Sequence, residues 1–247
     1  MAGVKYRGLD PRTRPLRWGL FLLVVAFVVV VAGDGAVQAL MGAVGAERDR
    51  LPWYATRLFA LLAYLALAAS VIYGLLLSTG ILDSVAHRAV SFTLHQDLAA
   101  VGLSLAMIHA ALLALDPSVP YAPAEILVPF FGPYRPLWVG LGQVSLYLSA
   151  IVVGSFYVRR RIGQRAWRLL HYTTFLAFVG ATAHGLMSGT DSGTPWAFGG
   201  YLAAASAVAF LFAYRVVISV AKRGSRPAPR LVAVPAPAAS REIDTAA

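Results

Sequence analysis

Cysteine is absent from the 247 residues of this chain. Disulfides, thiolate-held iron–sulfur clusters, a thiolate haem ligand and CxxCH haem attachment are therefore all excluded within it. Charge is scarce as well: only 13% of residues are charged, with 11 Asp and Glu against 21 Lys and Arg. No GxGxxG fingerprint opens a helix, so the chain offers no dinucleotide-binding unit of that type. Apolar residues make up 59% of the chain and the mean hydropathy is +0.69. That much apolar surface cannot face water, and the composition is that of an integral membrane protein. The net charge of +10 does not point to nucleic acid, because the basic residues stand in short clusters between apolar runs.

Crossing a hydrocarbon core takes about 20 helical residues. Six stretches meet that length, near 17–37, 53–79, 89–115, 136–158, 167–188 and 196–220. The sequence therefore predicts an all-α, six-helix membrane bundle over 17–220, preceded by a basic N-terminus (1–16) and followed by a Pro- and Ala-rich tail (221–247) that is expected to be disordered. The run GLFLLVVAFVVVVAG, with Gly35 and Ala36 beyond it, resembles a signal peptide. The long polar lead before it, and the odd helix count its removal would leave, favour a retained first span. Of the 21 basic residues, only Arg48, Arg50, Arg57 and Arg135 fall on one side of this arrangement. The other seventeen, including Lys5, Arg88, Arg159, Arg160, Arg161 and Lys222, fall on the side expected to be cytoplasmic, with both termini inside. Trp18, Trp53, Trp138, Trp167 and Trp196 mark span ends, as interfacial anchors do.

Histidine inside a lipid-spanning helix is costly and rare. Four of the five histidines nonetheless fall within spans, in two pairs. From His95 to His109, fourteen residues of helix rise ~21 Å and turn about 1400°, close to four full turns, so both imidazoles share one face at different depths. From His171 to His184, thirteen residues rise ~19.5 Å but leave the rings roughly 140° apart on an ideal helix. A relaxed helix at Gly180, or approach of two groups from different sides, would accommodate the second pair. Both segments run from inside to outside, so depth sets His95 opposite His171 and His109 opposite His184. Two imidazoles per site, with no thiolate available, point to non-covalent haem b held at two levels between the third and fifth spans. Gly102 lies seven residues from each histidine of the first pair. There a missing side chain would admit a flat macrocycle, or simply a neighbouring helix.

With six spans, the H-x13-H of His95/His109, the H-x12-H of His171/His184 and the segment RRRIGQRAWRLLHY, residues 17–220 resemble the ferric reductase-like transmembrane domain. That domain is shared by ferric reductases, NADPH oxidases and the haem membrane subunit of the bacterial periplasmic methionine sulfoxide reductase system. The resemblance implies two haems b, His95, His109, His171 and His184 as iron ligands, and transmembrane electron transfer in a multi-pass protein of the bacterial cytoplasmic membrane. Only 27 residues follow Val220, too few for a flavin or nicotinamide domain. The expected donor is a separate cytoplasmic flavoprotein, a membrane quinol, or bound FMN or quinone, and the acceptor is extracytoplasmic. The alternatives are a haem-binding anchor subunit for a methionine sulfoxide reductase-type enzyme and a haem-free transporter whose histidines line a proton or metal path.

Several other residues carry candidate roles. Arg88 is placed to meet a propionate of the inner haem, and Arg57 or Arg135 one of the outer haem, with membrane topology as the competing explanation for each. Asp97, two residues beyond His95, is placed to orient a ligand or carry a proton. The loop DPSVPYAPAEILVPFFGPYRP (116–136) is expected to lie on the bilayer and cover the outer haem, in contact with a quinone or acceptor, or to serve only as a lid or packing segment. RRRIGQR is expected to set topology or to dock an acidic flavoprotein.

Overall fold

The computed structural model describes residues 51–84, 86–115 and 119–224. The basic N-terminus, the span expected near 17–37 and most of the C-terminal tail lie outside the described residues. The described residues are helical throughout, with turns and two short 3-10 segments and no strand. They form α1 (Leu51–Thr79), α2 (Arg88–Leu112), the short α3 (Pro123–Leu127), α4 (Pro136–Ile162), α5 (Gln164–Ser188) and α6 (Pro195–Gly224). Five of the spans read from the sequence thus fall on long helices. Three of these, 52–79, 136–162 and 195–221, are both long and apolar enough to cross a bilayer, which marks a membrane protein. α2 and α5 have the length, 25 residues each, but His95, Gln96, Asp97, Arg165, Arg168 and His171 make them more polar.

Local chemistry sets the helix ends. Proline opens α4 and α6, where its missing N–H would have had no helical partner. Glycine closes α1 and α4: Gly80 (φ 79°) and Gly163 (φ 82°) take the left-handed side of φ that side chains resist. Each returns its N–H to a carbonyl of the last turn, Gly80 to Leu76 and Gly163 to Arg159. Gly163 also caps α5, so α4 and α5 meet in a one-residue turn. Arg159, Arg160 and Arg161 occupy the last turn of α4, where cations complement the helix dipole.

α1 packs along α2, α4 along α5, and α6 against α1 and α5. α1 sits at the centre, and the core joins its Tyr64, Ala68, Val71 and Leu75 to Phe178 of α5 and to Val208 and Leu211 of α6. Lipid tails are as apolar as leucine, so helix pairing in a bilayer depends on close approach of small residues rather than on burial from water. Gly102 of α2 meets the backbone of α1 at Ala63–Leu67, and Gly180 of α5 meets Ser145 of α4. α6 turns Phe198, Leu202, Phe210 and Val217 outward, the surface expected of a helix facing lipid. α2 and α5 are not among the closely packed pairs; what joins them is a set of side chains.

Candidate haem-binding site

Two histidine pairs face each other between α2 and α5. The ring centroids of His95 and His171 are 6.1 Å apart, and so are those of His109 and His184. The rings of each pair are steeply inclined, with interplanar angles of 77° and 64°. The pairing is the one that depth dictates. The roughly 140° offset along α5 does not prevent it, because the two rings leave the helix toward different neighbours. His184 leans on α4, while His171 is flanked by Trp167, stacked at 5.1 Å, and lies within electrostatic reach of Arg215 on α6. α5 itself is unbroken at Gly180.

Three of the four imidazoles are fixed through Nδ1 to a main-chain carbonyl of an adjacent helix. His95 meets Ser70 O at 2.8 Å and His109 meets Thr56 O at 3.0 Å, both on α1, while His184 meets Trp138 O at 3.0 Å on α4. A carbonyl can only accept, so Nδ1 carries the proton and Nε2 is left with its lone pair, the state of an imidazole ready to bind a metal. The Ser70 hydroxyl, buried at this level, stands 3.2 Å from Nδ1 of His95 and donates to the His95 carbonyl at 3.1 Å. His171 has no such carbonyl partner among the described residues, and the Trp167 ring restrains it instead.

Space for two of these rings comes from glycines one turn beyond the accepting carbonyl. A Cβ on Gly74, four residues after Ser70, would stand 3.0 Å from Cε1 of His95. One on Gly142, four residues after Trp138, would stand 2.7 Å from Cγ and Nδ1 of His184. Thr56, Ser70, Gly74 and Gly142 carry no signal of this role in the sequence. The pairing of a carbonyl at one position with a glycine four residues later was readable only as ordinary glycine content, which is high in membrane helices anyway.

A metal–imidazole bond is about 2.0–2.1 Å, and a five-membered ring with bonds near 1.33 Å has a radius of roughly 1.1 Å, so two axial imidazoles on one metal put their centroids about 6.2–6.4 Å apart. Both pairs stand at 6.1 Å. Among the described residues no three His, Asp or Glu side chains converge on one point, so neither pair resembles a site for a bare metal ion. Two imidazoles at that spacing would suit a metal that brings further donors of its own, as haem iron does.

The other candidates are placed differently. Gly102 faces α1, where a Cβ would stand 3.2 Å from Leu67 N; its missing side chain serves helix packing, not a macrocycle. Arg57 bonds Asp191 at 3.0 Å and lies 3.3 Å over the Trp53 ring, which ties α1 to the α5–α6 turn. Arg88 bonds Asp83 at 2.8 Å in the exposed α1–α2 turn. Arg135 donates to the Met187 carbonyl at the end of α5 and lies over Tyr134. All three cations thus have protein partners. His87 is the N-cap residue of α2, eight residues before His95. No family model, curated protein or solved structure matches the chain.

Proposed function

We propose that this chain is a two-haem membrane cytochrome of the b type, which carries electrons from a cytoplasmic flavoprotein or membrane quinol to an acceptor on the opposite face. The observation that supports this most directly is the pair of facing imidazole couples, each at 6.1 Å, with Nδ1 of three rings bonded to helix carbonyls. Haem held by two imidazoles has all six iron positions filled, so it supplies one-electron transfer rather than substrate binding.

The protein's own part is positional. α1 orients His95 and His109 through Ser70 and Thr56, and α4 orients His184 through Trp138, so the Nε2 atoms are set before a ligand arrives. Those carbonyl bonds also raise the basicity of the ligating nitrogen. The two levels are ~21 Å apart along α2, so the inner and outer couples divide the bilayer between them. Arg159, Arg160 and Arg161 on the inner turn give a cationic surface suited to an acidic donor protein.

Purified protein should give a pyridine haemochrome of two haems b per chain and a low-spin spectrum. Lack of haem after expression with adequate iron and haem supply would remove this reading and leave the histidines to a transport path.

A further inference from the structure

Residues 121–135 do not arch over the outside of the bundle; they fold down the side of α4. Gly140, Gln143 and Tyr147 form one stripe of that helix, at spacings of three and four residues. The Phe130 ring occupies the place where a Gly140 Cβ would stand. The Gln143 side-chain amide donates to Glu125 O and Ile126 O, both at 2.7 Å. The Tyr147 hydroxyl donates to Leu127 O. Beyond this low point the chain climbs back: Tyr134 donates to Ser188 O at 3.3 Å, and Arg135 to Met187 O, at the end of α5.

Register along α4 converts these contacts to depth. Gly140 lies ~6 Å, Gln143 ~10 Å and Tyr147 ~16 Å below Pro136 at 1.5 Å per residue. A hydrocarbon core of about 20 helical residues, counted outward from Val158 just before the arginines of the inner turn, reaches Trp138. Leu127 thus stands well within the outer half of the core. Irregular backbone at that depth persists only if its polar groups are satisfied by protein. The carbonyls at the C-terminal end of α3 are the ones a helix leaves unpaired, and Gln143 and Tyr147 bond three of them. At its other end, Glu125 bonds the Ala122 N–H at 2.7 Å. Leu127, Val128 and Phe131 point away from the bundle, 63%, 49% and 67% exposed, beside the outward Leu137 and Ile151 of α4.

We infer that residues 121–135 form a re-entrant segment inserted into the outer leaflet, with α3 held at depth by Gln143 and Tyr147 and with Leu127, Val128 and Phe131 against lipid acyl chains. This inference does not depend on haem.

Because the chain has no cysteine, single-cysteine variants of the full-length protein need no background substitution. Nitroxide labels at Val128→Cys and Phe131→Cys, in liposomes, should be relaxed by oxygen and shielded from a water-soluble nickel chelate. They should match Ile151→Cys on the flank of α4 and contrast with Gly193→Cys in the α5–α6 turn, where a side chain has open space. Nickel accessibility at Val128 and Phe131 equal to that at Gly193 would overturn the insertion. Tyr147→Phe removes one hydroxyl without disturbing packing and should move the Val128 label toward water, and Gln143→Leu should move it further. An unchanged label depth in both would overturn the anchoring role.

Discussion

If the two histidine pairs hold haem as proposed, Gly142→Ala should loosen the outer one and spare the inner. The new methyl carbon would stand 2.7 Å from Cγ and Nδ1 of His184 and 3.0 Å from Cδ2. Favourable carbon contacts lie at about 3.5–4.0 Å, so the ring must retreat by roughly 1 Å. Gly142 lies one turn beyond Trp138 on the same face of α4, so retreat from the methyl is also retreat from the Trp138 carbonyl. The 3.0 Å bond from Nδ1 would stretch beyond hydrogen-bonding range. Overpacking of this kind costs about 1–3 kcal/mol, and loss of a bond that orients a metal ligand typically lowers affinity about 10–100-fold. Gly74→Ala should do the same to the inner haem in milder form, because its nearest contact is 3.0 Å, to Cε1 of His95. Haem stoichiometry and a redox titration that resolves the two components would read both effects. If Gly142→Ala retained both components at wild-type affinity, or if both alanine variants depleted the same component, the assignment of each glycine to one histidine pair would be wrong.

Other perturbations test neighbouring parts of the same picture. Replacing His95 or His171 with Ala should remove one spectral component and replacing His109 or His184 the other; depletion of a single component by both His95→Ala and His184→Ala would refute the facing pairs. The steep interplanar angles of 77° and 64° predict highly anisotropic low-spin ferric EPR signals for both haems, and a rhombic spectrum typical of parallel imidazoles would contradict the ring orientations. Arg57→Ala should lower stability by about 0.2–1 kcal/mol, less at high salt, and leave haem content at two, since its half-exposed ion pair with Asp191 is structural; a double-mutant cycle with Asp191→Ala measures the coupling, and loss of the outer haem would restore a propionate role to Arg57. In inside-out vesicles NADH alone should leave the haems oxidised, a flavoprotein reductase should reduce them, and neutralising Arg159, Arg160 and Arg161 should slow that reaction and weaken its salt dependence if the turn is a docking surface.

The parts legible in the sequence were those that depend on length and periodicity. Apolar runs of spanning length gave five helices close to their observed limits, and rise per residue, with the shared inside-to-outside direction of the two spans, paired His95 with His171 and His109 with His184. What escaped the sequence was set by rotation of one helix against another. Nothing in the order of residues shows that Gly102 turns to α1 while Gly142 turns to His184, since both are glycines in apolar helices. The partners of the arginines escaped it for a related reason: that Arg57 meets Asp191 depends on how the α5–α6 turn folds back, which no periodicity encodes. Trp138 was legible as an interfacial ring, but its contribution to the site is a main-chain carbonyl, which any residue at that position would supply.

The core that joins α1 to α6 also bears on how the protein is made. Tyr64, Ala68, Val71 and Leu75 find Val208 and Leu211 only after nearly the whole described chain has been synthesised. Chain elongation proceeds at about 5–20 residues per second, so α1 waits several seconds in the bilayer beside α2 for its final partner. The four imidazoles come from two hairpins. α1 and α2 pack along each other, with Ser70 and Thr56 receiving His95 and His109, and α4 and α5 pack likewise, with Trp138 receiving His184. α6 packs against both α1 and α5. A chain truncated before Pro195 would keep all four histidines and lose Val208 and Leu211, the residues that close the core against α1.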